Sequence, residues 1–280
     1  MLNIKKNLAT ATFSLILLFS SQLFANTNCK TDNIASAHPP LETNSNIQIE
    51  FNISDIPEEG STDAYPISVS ARNCLTNESR KISTLPYLGD PGKIESAFIL
   101  NEKKYNKKRL YIIQSTAITS DTGISYNSDF FTVSVFDEKT EMEYSLNKKL
   151  SDFFGSGGDV ATQEDSDFID YSYPYKTKRA IEETLMSRGF KNWSLNKPSK
   201  AKVIDKVFIY EYPSIADKTP KYLIQNDIIV VNDQASGWLK ISYKTARSGI
   251  IEGWIPCSKT EICESNQNTS KTHQKTASHK

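Results

Sequence analysis

The residues of this chain that carry reactive chemistry are three histidines, four cysteines and one run of carboxylates. His38 stands just before a proline pair, and His273 and His279 sit in a polar C-terminal run. A Ser/His/Asp or Cys/His site needs a histidine fixed by a rigid scaffold. That argues against nucleophilic catalysis and, for want of ligands, against a zinc peptidase or amidase. A glycosidase needs only two carboxylates. Nothing in the sequence singles out a pair, so carboxylate-based hydrolysis stands only as the lesser alternative. Asp159, Glu164, Asp165, Asp167 and Asp170 gather in a glycine-containing stretch. The stretch lacks the glycine that an EF-hand loop places sixth, and Gly155-Ser156-Gly157-Gly158-Asp159 lacks the Lys-Ser/Thr ending of a phosphate-cradling loop. It reads as a solvated acidic loop. The expectation is a protein that is not an enzyme and that uses no cofactor and no metal.

Cys29, Cys74, Cys257 and Cys263 contain no CxxC pair. An even count, in a chain whose first 25 residues have the layout of a secretory signal, reads as disulfides. Three pairings are open to four cysteines, and nearness in sequence favours Cys257 with Cys263 and Cys29 with Cys74.

A different kind of candidate lies in the aromatic residues near the C-terminus. In Gly237–Tyr243, Leu239, Ile241 and Tyr243 share one face of a strand, and Trp238 and Lys240 share the other. With the aliphatic face inward, Trp238 points outward. Tyr210 and Tyr212 lie together on one face of an earlier strand or its loop. Tyr210, Tyr212, Trp238 and Lys240 are therefore the candidate ligand-binding residues, a platform for a sugar or an extended peptide. The competing reading is that Trp238, Trp254 and the tyrosines plug the ends of a small barrel.

The elements that would hold these residues are mostly strands. Ile47, Ile49, Phe51 and Ile53 alternate with polar residues, the period of a half-buried strand. Runs at 65–72, 94–100, 109–115 and 130–137 are rich in β-branched and aromatic residues, with turn chemistry between them. Glu141–Leu146 reads as the return strand of a hairpin. One helix is expected after Pro174, with Ala180, Ile181, Thr184 and Leu185 on one face and Gly189 as its C-terminal cap. Residues 196–200 read as a linker. Strands resume at 207–213, 222–233, 237–244 and 250–255. After Cys263 the apolar residues all but vanish, as in a disordered tail.

The first 25 residues have the layout of a secretory signal: Lys5 and Lys6, an apolar run from Ala11 to Phe19, and Leu23-Phe24-Ala25 as a cleavage site. The apolar run is too short for a comfortable membrane span, so no transmembrane segment is expected after cleavage. The whole chain has 33 basic and 33 acidic residues. Loss of Lys5 and Lys6 leaves a net charge of −2, with no basic field to attract nucleic acid. A periplasmic or secreted location follows.

Tyr222-Leu-Ile-Gln-Asn-Asp227, Gly237-Trp-Leu-Lys-Ile-Ser-Tyr243 and Glu252-Gly-Trp-Ile255, in that order and spacing, resemble bacterial SH3-like (SH3b) domains over about sixty residues. Relatives often carry glycine at the position of Asn226, and asparagine tolerates the same left-handed turn. Tyr87-Leu-Gly-Asp-Pro-Gly92 before an apolar run and Tyr173-Pro-Tyr-Lys-Thr-Lys178 before a helix are similar to patterns in uncharacterised envelope proteins that carry such a domain. The strand runs and this resemblance together give the expectation of a mainly β chain. It comprises a signal peptide at 1–25, a β-rich domain with one late helix at 26–195, a small SH3-like β-barrel at 201–259 and a disordered tail at 264–280. The resemblance also implies a module that docks peptidoglycan or an envelope protein. The alternative function is a periplasmic immunity or inhibitor protein against a wall-degrading toxin, and the lesser alternative, resting on carboxylates alone, is a peptidoglycan hydrolase.

Overall fold

The computed structural model of the chain describes residues 29, 35–44, 46–53, 65–102, 107–118, 122–162, 169–245, 247 and 249–263. The expected signal segment, Glu164, Asp165, Asp167, His273, His279 and the tail at 264–280 lie outside the described residues.

Alternation along Ile47–Phe51 turns Ile47, Ile49 and Phe51 inward, and this segment becomes β2 (Ile47–Ile53). It lies between β1 (Ser36–Asn44) and β3 (Ile67–Asn73), with β4 (Ser79–Thr84) beyond β3, in a four-stranded antiparallel sheet. The sequence pattern shows β1 as a polar lead-in because Pro39 and Pro40 interrupt it. They are accommodated because β1 is an edge strand with breaks in register around them. A second sheet runs β5 (Lys93–Glu102), β6 (Lys107–Thr116), β7 (Phe130–Thr140) and β8 (Glu143–Leu146), with the two-residue β9 (Ser156–Gly157) paired on β7.

The β5–β8 sheet is buried on both faces at its central strand β6. Leu110 and Ile112 of β6 pack with Ile49, Phe51 and Val69 of the first sheet. Tyr111 and Ile113 pack on the opposite side with Phe153, Phe154 and Tyr173. Burial on two sides explains why Leu110–Ile113 is an unbroken apolar run where a half-buried strand would alternate.

Three helices are present among the described residues, where one was expected. Helix α1 (Lys148–Phe154) is capped by Asn147, whose side chain accepts from the Leu150 N–H, and it buries Leu150, Phe153 and Phe154. Helix α2 (Lys178–Met186) starts at the Thr177 cap and buries Ile181, as its pattern predicts. It stops at Ser187, short of Gly189. The Ser187 hydroxyl caps a third helix, α3 (Arg188–Ser194), so Gly189 lies inside a helix and ends none. Between α1 and α2, the two-residue β10 (Val160–Ala161) pairs with β11 (Ile169–Tyr171).

The C-terminal strands β12 (Ser199–Lys202), β13 (Val207–Tyr210), β14 (Lys218–Leu223), β15 (Ile228–Ala235), β16 (Trp238–Lys244) and β17 (Ile250–Pro256) form one antiparallel sheet in the order β12-β15-β16-β17-β13-β14. The expected linker at 196–200 already contains the start of β12. The expected single run at 222–233 is split by Asn226, which adopts a left-handed φ of 74°. The inner face gathers Val203, Ile209, Leu223, Ile229, Leu239, Ile241 and Ile255. Val203 bridges to Thr260, and Ile204 N–H donates to the Lys259 carbonyl at 3.0 Å, so the two ends of the segment meet over that cluster.

The disulfides pair as proximity in sequence favours. Cys29–Cys74 has Cα atoms 4.6 Å apart and Cys257–Cys263 5.5 Å apart, both within reach of a bridge. No helix among the described residues is long and apolar enough to cross a membrane.

Candidate functional site

The register of the C-terminal sheet decides where the predicted site residues go. Tyr210 stands opposite Trp254, Trp254 opposite Lys240, and Lys240 opposite Asp233, in a row across the outer face. Trp238 shares that face, as alternation along β16 requires. The expected outward display of Trp238 is corrected by the structure: its side chain is only 2% exposed. The cover comes from earlier in the chain. Tyr171 of β11 stacks on the indole at 5.0 Å, and Tyr210 meets it edge-on at the same distance. Both rings belong to the aromatic cluster built on α1 and the β5–β8 sheet.

Backbone contacts fix this closure. The β15–β16 turn has Ser236 and Gly237 at φ 51° and 80°, the doubly left-handed geometry of a tight hairpin. Ser236 N–H donates to the Phe153 carbonyl at 2.9 Å, and the Tyr171 hydroxyl donates to the Ser236 carbonyl. A Cβ on Gly237 would lie 2.6 Å from the Pro174 ring, so only glycine fits. Burial raises the pKa of both Tyr171 and Tyr210, with the Asp170 charge adding to the effect at Tyr210. Both remain neutral phenols and packing groups.

The four candidates therefore separate. Tyr210 and Trp238 are brought together but are covered. Tyr212 lies in the following loop, 59% exposed, and Lys240 is exposed beside the half-buried Trp254. The plug reading is modified as well. Trp238 closes the seam between the C-terminal sheet and the aromatic layer, on the opposite face from the sheet's own aliphatic cluster.

The sequence reading missed a surface on the β13–β14 hairpin. Phe208 and Tyr222 are cross-strand partners on the outer face, with ring centres 6.2 Å apart in an edge-on arrangement. Lys218 Nζ sits 3.8 Å from the Phe208 ring centre. Lys206 Nζ lies 5.6 Å from the Phe208 ring and 4.7 Å from the Tyr222 ring. Cation–π contacts of this geometry hold an ammonium without neutralising it. Neither lysine has a carboxylate partner among the described residues, so their N–H donors remain open to a ligand. The clue in the sequence was the phase: Phe208 and Tyr222 each flank a buried aliphatic, Ile209 and Leu223, as outward residues do.

A small cavity lined by Gly189, Trp193, Asp233 and Gln234 has a volume of about 10 Å³, room for roughly one water. There the Trp193 indole N–H donates to Asp233 Oδ1 at 3.0 Å. Asp159 is a structural anchor. It receives the Tyr173 N–H, the Ser172 hydroxyl and, at 2.6 Å, the Lys176 ammonium. Among the described residues no three His, Cys, Asp or Glu side chains gather as metal ligands would.

The fold is that of a mainly β protein of several antiparallel sheets with two disulfides. No family model, curated protein or solved structure matches the chain.

Proposed function

We propose that this chain is an exported cell-envelope binding protein, periplasmic or secreted, whose C-terminal segment is an SH3-like module that docks peptidoglycan. The observation that carries the reading is the open hairpin surface of Lys206, Phe208, Lys218 and Tyr222. Stem-peptide carboxylates are complementary to two unneutralised ammoniums, and sugar faces are complementary to aromatic rings. The motifs shared with SH3b domains, the return of the segment's end onto its start and the signal-like first 25 residues support the same reading.

The test is co-sedimentation of the oxidised protein, lacking its first 25 residues, with purified sacculi. The protein is expected to pellet, and the triple variant K206E/K218E/Y222A to stay in solution with an unchanged unfolding midpoint. A triple variant that pellets like the parent removes the hairpin from the site. A parent protein that stays in solution removes the wall as the ligand and directs the search to envelope proteins.

A further inference from the structure

We infer that one end of the C-terminal sheet is a contact face for an anionic phospholipid surface. This face is distinct from the β13–β14 hairpin. Lys202 stands opposite Ile228 across β12 and β15, and Lys244 stands opposite Ile250 across β16 and β17. The pair Val230–Ser242 joins β15 to β16. Two residues further along each strand, the same register sets Ile228 level with Lys244. The result is a row that alternates lysine and isoleucine across four neighbouring strands, roughly 14 Å wide at ordinary strand spacing. The neighbours Ile229 and Ile251 turn into the aliphatic cluster, so Ile228 and Ile250 turn out. Ile228 is 53% exposed and Ile250 70% exposed. Ile224, in the turn that Asp227 closes just before β15, is 54% exposed as well.

Three exposed isoleucines at one end of a sheet are a cost to a free soluble surface. The charges around them indicate what covers them. Lys200, Lys202 and Lys244 have no carboxylate partner among the described residues. The nearby acids are Asp227, which accepts from the Tyr243 hydroxyl at 3.0 Å and the Ile224 N–H at 2.9 Å, Glu252, which accepts from Ser242 at 3.3 Å, and the exposed Glu261, whose N–H donates to the Lys202 carbonyl at 3.1 Å; none of them forms an ion pair with these lysines among the described residues. A second copy of the chain pairing this face on itself would set lysine against lysine with the two-fold axis along the row, and a desolvated lysine against isoleucine with the axis along the strands. Ile228 and Ile250 stand on the outer face of a strand ladder, so the occupant is itself a surface. An anionic bilayer meets both demands: isoleucines enter the acyl boundary, and lysines reach the headgroups on their flexible stems.

The test is flotation of the oxidised protein with vesicles of phosphatidylglycerol and phosphatidylcholine, beside vesicles of phosphatidylcholine alone. Binding to the anionic vesicles is expected at low salt and is expected to fall at high salt as screening takes hold. I228S/I250S and K202E/K244E are each expected to weaken binding about tenfold or more, since each removes buried methylenes or headgroup charge, with the unfolding midpoint unchanged. Y222A is expected to float like the parent, which separates this face from the wall-docking surface. The inference is overturned by equal binding to both vesicle types, by no binding to the anionic vesicles, or by full retention in both double variants. Capture by poly-glutamate without vesicle binding overturns it in favour of an acidic peptide.

Discussion

The outer face of the C-terminal sheet meets two fates within a few residues. At one side, Trp238 and Tyr210 are sealed under Tyr171 and joined to the aromatic layer of the preceding sheet. At the other, Phe208 is half-buried at the margin of that layer with Lys218 over its ring, and Tyr222, 53% exposed, has Lys206 over its own. Both sides have aromatic residues on the same phase of neighbouring strands, so composition alone does not separate them. What separates them is the chain that comes back over one of them: Tyr171, Tyr173 and Tyr175, spaced by two, all face that layer. One aromatic set is closed into the interior, and the other ends in an exposed tyrosine flanked by lysines.

The sharpest way to break this contrast is Trp238→Ala. A covered indole should cost about 3–5 kcal/mol on truncation, read as a lower midpoint in urea. An unchanged midpoint would return Trp238 to the ligand-binding set. Tyr171→Phe should cost about 1 kcal/mol at neutral pH through loss of its hydrogen bond to Ser236. The same substitution tests the pH dependence. Burial raises the Tyr171 and Tyr210 phenols above their unfolded value. Their contribution is complete below the unfolded tyrosine pKa of about 10 and is lost as the pH climbs beyond it. Stability should therefore fall in alkali, and less steeply in Tyr171→Phe. At the small end, Lys240→Ala should change stability by less than about 0.5 kcal/mol, although Lys240 and Trp238 share one face of β16.

Much of the strand pattern was legible because period-two alternation is local. Ile47–Ile53 and Gly237–Tyr243 show it plainly, and Asn226 announced its turn by residue type. Strand β1 was hidden by its prolines and strand β12 by its linker-like composition. Helix α1 was hidden by its shortness, although Asn147 and Gly155 bracket it as cap residues would. The orientation of Trp238 was read correctly relative to Leu239. Its burial was not legible, because the cover lies 67 positions earlier at Tyr171 and depends on the tertiary contact at Ser236. The hairpin cluster was missed for a similar reason, since its lysines come from different strand ends and meet only over the rings.

The meeting of Val203 with Thr260 bears on how this architecture could be inherited. A segment whose entrance and exit lie side by side can be copied in tandem or moved to another chain without rethreading the rest. Here the copy would travel with a handicap. Away from Tyr171 and Phe153, a transplanted segment would present Trp238 and Tyr210 bare to solvent, and selection would have to recruit a new cover or recolour those two positions as polar. Descendants of this segment in other chains should therefore be recognisable less by the aliphatic residues of the inner face than by what has become of that tryptophan.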